Sequence, residues 1–169
     1  MTVKRSLAGL AILPAVAVAA AACGGGSSPS APAPAATASA PSTATVDMTN
    51  SDLGTILVDS SGRTLYLFEK DAHGGSMCTG ACATNWPPLT VTGAPSAGAG
   101  IDGAKLGTTK RADGAMQVTY GGHPLYLFKG DTASGDTKGE AVSAYGADWY
   151  AVSPKGVSVE EKKSSGGGY

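Results

Sequence analysis

The sequence predicts an all-β domain, two related β-meander repeats packed as a small sandwich or closed into a barrel. A self-comparison carries most of that expectation: VDSSGRTLYLFEKD (58–71) and VTYGGHPLYLFKGD (118–131) align without a gap at an offset of 60, with seven of fourteen positions identical. Short β-rich runs separated by Gly-containing turns supply the second observation, since Gly permits the positive φ that tight hairpins need. The third is that no amphipathic stretch is long enough for a substantial helix, apart from one turn at 79–84.

The first repeat spans about 53–92 and the second about 105–157. Each opens on a strand (55–59 and 115–119), turns through SSG (60–62) or GGH (121–123), and returns along a second strand (64–68 and 124–128). The shared LYLF is apolar on both faces of the pleat, which suits a strand covered on both sides. A Gly-rich excursion follows, then a Trp-led third strand, NWPPLTV (85–91) corresponding to DWYAVSP (148–154), with Trp86 opposite Trp149 at an offset of 63. A further strand at 105–110 is expected to pair with the second unit. Both tryptophans are expected in the core in preference to a carbohydrate-stacking surface.

Outside this domain of about 115 residues the composition changes. Residues 1–22 read as a secretory leader: Lys4 and Arg5 precede an uncharged Leu/Ala/Val run that is marginal for a membrane span. Ala20, Ala21 and Ala22 run directly into Cys23, which resembles the lipobox of bacterial lipoproteins, with Ala20 where Leu is usual. That resemblance implies an acylated, palmitate-type Cys23 as the new N-terminus and membrane lipid as a partner, because two or three acyl chains anchor a protein durably where one does not. The segment that follows Cys23 up to residue 45 is rich in Gly, Ser, Pro and Ala and carries no charge, the composition of a disordered tether of roughly 25 Å root-mean-square reach. EEKKSSGGGY (160–169) has the composition of a frayed tail. The formal charge of the whole chain is −1; removing Lys4 and Arg5 leaves ten basic against thirteen acidic residues, so no basic face for nucleic acid is available.

The pair YLFEKD and YLFKGD fits the pattern Yx(F/W/Y)xxD, and with CTGACATNWPPL (78–89) it resembles the secreted-repeat bacterial lipoproteins, a family of unknown biochemical role. The resemblance implies a secreted or membrane-anchored repeat protein and supplies no reaction. Its motif residues are Tyr66, Phe68 and Asp71 with Tyr126, Phe128 and Asp131. The aromatics are expected in the core, and each Asp is expected to close its strand by accepting backbone N–H bonds in an Asx-type turn. The competing reading places both carboxylates around a shared ion or ligand near a pseudo-twofold axis.

Cys78 and Cys82 form a C-x3-C pair in an exported chain, so a local disulfide is expected, and lipidation of Cys23 resolves the odd cysteine count. The alternative is a copper- or other metal-handling or redox lipoprotein using His73, Met77, Cys78 and Cys82, a thioether, imidazole and thiolate set that suits copper. His123 stands in the second turn where the first repeat has Arg63, and no general-base partner is indicated for it. No nucleophile elbow, phosphate loop or zinc-protease helix is present, so a non-enzymatic binding or interaction module at the cell envelope, its partner an envelope protein or small ligand, is the function expected.

Overall fold

A computed structural model describes residues 43–71 and 74–159. The leader, Cys23, the tether as far as residue 42, His73 and the tail lie outside the described residues. Among the described residues ten strands form three sheets, with one five-residue helix, and no barrel closes. They are β1 (Thr45–Ser51), β2 (Gly54–Asp59), β3 (Tyr66–Phe68), β4 (Thr90–Val91), β5 (Ser96–Ala97), β6 (Leu106–Lys110), β7 (Met116–Tyr120), β8 (His123–Pro124), β9 (Val142–Ala144) and β10 (Ala147–Ala151); helix α1 is Ala81–Asn85. The sheet orders are β2-β1-β5, β3-β10-β9 and β4-β7-β6, with β8 also on β7. The all-β sandwich-like repeat expected from the duplication is therefore present.

Each repeat starts with an antiparallel pair, β1 with β2 and β6 with β7, in which Val46 faces Asp59 as Leu106 faces Tyr120. β1 makes the first unit begin at residue 45, ahead of the hairpin that the repeated sequence marks. The hydrogen bonds also correct the ungapped alignment. Leu65 N–H donates to the Leu57 carbonyl, and Leu125 N–H to that of Val118, so Leu57 and not Val58 is the counterpart of Val118. The reason is one extra residue in the first turn. Asp59 closes a three-residue loop on Arg63, with Gly62 at φ 77°, whereas Tyr120 faces His123 across two residues, Gly121 and Gly122, both at positive φ as a type I′ turn requires.

The third strands cross over. β10 of the second repeat pairs with β3 of the first, Trp149 opposite Phe68, and Leu57 N–H donates to Val152 carbonyl. Reciprocally, the 86–91 segment of the first repeat serves the second: Leu127 N–H donates to Pro87, Lys129 N–H to Asn85 and Val118 N–H to Leu89, while β4 pairs with β7. Pro87 and Pro88 cannot donate, which shortens this copy of the strand to Thr90–Val91. The 124–128 strand expected from the sequence is likewise only His123–Pro124. Beyond it the extended chain changes partner at each residue, Leu125 to Val118, Tyr126 to Tyr66 and Leu127 to Pro87, so no continuous ladder forms.

The two faces of LYLF enter different cores, as the apolar pattern requires. Leu65, Leu67, Leu125 and Leu127 pack with Val46, Leu57 and Val118, whereas Tyr66, Phe68 and Tyr126 pack with Trp86, Trp149 and the cysteines. In the second core four rings stack in a column that alternates between repeats. Phe68 lies 4.1 Å from Trp149, Trp149 lies 3.9 Å from Trp86, and Trp86 lies 4.3 Å from Phe128, with Tyr66 and Tyr126 packed edge-on.

Candidate functional site

The signature residues meet across the seam between the repeats. Tyr66 and Tyr126 exchange backbone bonds, each N–H donating to the other's carbonyl at 2.9 Å. Their hydroxyls then cross: Tyr66 O–H donates to Asp131 Oδ2 and Tyr126 O–H to Asp71 Oδ2, both at 2.6 Å. The remaining oxygen of each carboxylate accepts a backbone N–H from its own excursion loop, Met77 onto Asp71 and Lys138 onto Asp131. The Asx-type turn expected for these aspartates is thus replaced by a longer clamp. Its main partner lies 55 or 65 residues away in sequence, which no local turn rule detects. Asp71 is thus held by Tyr126 and the Met77 N–H, and Asp131 by Tyr66 and the Lys138 N–H, each by the other repeat's tyrosine and its own loop.

Burial is the first determinant of the protonation of these groups. It pushes both aspartates above the ordinary carboxylate value, while the tyrosine and backbone donors pull back, and it drives both phenols well above theirs. A group whose native pKa is raised holds its proton longer when folded. Its stabilising contribution is complete below the unfolded value near 3.9 and is lost as pH rises through the native value. Asp136 has the opposite sign: Lys138 and the Thr132 and Ala133 N–H groups hold it at about 2, so its contribution is present above the ordinary range and lost as pH falls towards that value. Urea midpoints measured from about pH 3.5 to 6 should therefore fall less steeply with rising pH, or rise more, in Asp71→Asn/Asp131→Asn than in wild type. A wild-type curve with the larger upward slope would be inconsistent with the burial of these carboxylates.

On one side the clamp extends into a buried polar network. Ser76 and Tyr126 hydroxyls lie 2.7 Å apart, and Arg111, 4% exposed, donates to Ser76 Oγ, to Gln117 Oε1 and to the Cys78 carbonyl. Gln117 in turn donates to the Leu125 carbonyl. No buried side-chain nitrogen or oxygen among the described residues lacks a partner. Sequence reading missed this group. The signal was present only at the corrected offset of 61, which places buried Gln117 opposite Ile56, a polar residue at a core position that demands partners. Within the network Tyr126→Phe should cost about 2 kcal/mol, and the loss should shrink when Asp71→Asn is already present, as a double-mutant cycle on urea midpoints would show. Fully additive losses would deny the coupling.

Cys78 and Cys82 form the expected disulfide, with Cα atoms 5.2 Å apart and both residues buried beside Trp86. Bonded to each other, the sulfurs are not thiolate ligands, so the copper set proposed with His73 and Met77 is not assembled in this state; the Met77 side chain is exposed. Among the described residues no three His, Cys, Asp or Glu side chains are grouped to hold a metal ion. The helical turn expected at 79–84 is α1, two residues later at its start. Tyr145 was also missed. It sits at φ 60° in the β9–β10 hairpin turn, where Asn or Gly is usual, and its ring straps the second repeat to α1 through hydrogen bonds with Asn85 and the Ala81 carbonyl.

Beside Asp71 lies a groove of about 460 Å³, lined by Leu67, Phe68, Glu69, Asp71, His123, Val157 and Ser158. Two of the signature residues, Phe68 and Asp71, line it, and so does His123, which the sequence leaves without a role.

A family profile described as a secreted repeat of unknown function matches residues 48–90 and 107–153, together more than half of the chain. The chain belongs to this secreted-repeat family. The two matched segments coincide with the two β units, and the crossed Tyr66–Asp131 and Tyr126–Asp71 pairs join one matched segment to the other. No curated protein and no solved structure matches the chain.

Proposed function

We propose that this secreted-repeat protein is a lipid-anchored, non-enzymatic binding module, held by acylated Cys23 on the extracytoplasmic face of a bacterial membrane and carried clear of it by the uncharged segment between Cys23 and β1. The observation that carries the binding reading is that the signature side chains are spent on one another. Both Tyr–Asp pairs are engaged by hydrogen bonds inside the fold, each hydroxyl donating to a carboxylate and each carboxylate oxygen accepting one bond, which suits a frame and sets no nucleophile beside a base among the motif residues. The groove beside Asp71 then offers the surface for a ligand. The anchor reading draws its support from the small residues before Cys23 and the uncharged tether behind it.

Metabolic labelling with an alkyne palmitate analogue, followed by membrane fractionation, tests the anchor. Wild-type chain should carry label and sediment with membranes, and Cys23→Ala should lose both. Unlabelled wild type released into the medium would overturn the reading.

A further inference from the structure

The two repeats are closely matched in their frame and differ at the groove. Lys129 occupies the position in the second repeat that Glu69 holds in the first, and Arg63 is the counterpart of His123. Arg63 is committed to Asp59 through Nε and Nη2, and the loop beyond Asp131 folds onto the first hairpin, with Ser134 Oγ and Gly135 N–H donating to the Gly62 carbonyl. On the groove side the corresponding positions place Glu69, Asp71 and His123 among the residues that line open space. Glu69 is exposed, Asp71 forms part of the wall, and each Asp71 oxygen has accepted one hydrogen bond, which leaves a carboxylate capacity for more. Leu67, Phe68 and Val157 supply an apolar side and Ser158 a hydroxyl, in a volume suited to a small molecule.

We infer that the groove between Glu69, Asp71 and His123 binds a small organic ammonium ion, its charge towards the Glu69 and Asp71 carboxylates and its hydrocarbon part along Leu67, Phe68 and Val157. An anion meets two carboxylates there, and a neutral ligand forgoes the charge-assisted bonds that make such a site selective. The excess of acidic residues in the chain without its leader favours encounter with the same class of ligand. This inference rests on the reading of the domain as a binding module and names its ligand class.

The test is a nuclear magnetic resonance titration of the full mature chain, carrying Cys23→Ser, with phenethylammonium and with phenethyl alcohol as its neutral counterpart. The amine should bind saturably at one site, shifting amides at 67–71, 123 and 157–158, with the alcohol at least about tenfold weaker. Glu69→Gln, at an exposed position that leaves the fold intact, should weaken the amine by about tenfold, while Lys129→Gln should not change it. Added salt should weaken the amine and spare the alcohol. The inference is overturned if the amine fails to saturate, if the shifts fall elsewhere, if alcohol and amine bind alike, or if Glu69→Gln has no effect. Such a failure leaves the lipid label on Cys23 as it was, and so is distinguishable from failure of the anchor reading.

Discussion

Trp149→Ala is expected to remove about 3 to 5 kcal/mol of stability, a large part of the 5 to 15 kcal/mol typical of a domain. The indole is fully buried and central to the ring column, stacked on Phe68 on one side and Trp86 on the other. It also meets the edge of Tyr126, and its Nε1 donates to the Ala144 carbonyl. Both stacking partners belong to the other repeat, so the cavity would open along the seam, where neighbouring side chains are rigid aromatics that cannot collapse into it. Trp149→Phe, which keeps a ring in the column, should lose less. Urea unfolding at constant slope measures both, and a loss under about 1 kcal/mol for Trp149→Ala would mean that the column does not hold the repeats together.

The second large effect concerns the chain connection between the repeats. Each hairpin is completed by the other repeat's third strand, and each signature tyrosine finds its carboxylate in the other repeat. A half-molecule therefore lacks one strand of its sheet, two rings of the column and the partners of a buried Tyr and a buried Asp. An unpaired buried polar group costs about 1 to 3 kcal/mol, and a unit of some 55 residues already has little core to offset its ordering entropy. Neither repeat should fold as a monomer, although the sequence shows two copies of what reads as one independent unit.

That contrast shows what the sequence holds and what it hides. The duplication, the LYLF strands with two apolar faces and the glycines at both hairpin tips are periodic or local signals, and the fold class followed from them. The disulfide followed from compartment and spacing, because a three-residue gap of small side chains can turn within its own loop. The strand exchange was invisible, since an internal repeat states that two segments resemble each other and says nothing about which of them pairs with which. The one-residue insertion in the first turn hid the equivalence of Ile56 and Gln117 for a related reason: four shared residues, Leu-Tyr-Leu-Phe, fixed the alignment after the turn and carried it, one place out, into the strand before it. Arg111 could not be anticipated either. Its partners come from the loop before the disulfide and from β7, and only folding places Ser76, Cys78 and Gln117 around one guanidinium. The groove was not legible, because its walls come from three separated segments that only folding brings together, and His123 alone in a turn gives no sign of them.

If the signature motif is a clasp between repeats, the interdependence of the two halves is its most direct consequence. A protease site placed in the exposed connection near Ala99 allows the chain to be cut after folding. The nicked halves should stay together as one particle with the near-ultraviolet signal of the buried tryptophans intact. Separated in denaturant and returned to buffer, each half alone should lack that signal, and mixing them in equal amounts should restore it. A monomeric half that recovers a native near-ultraviolet spectrum without its mate would contradict the account.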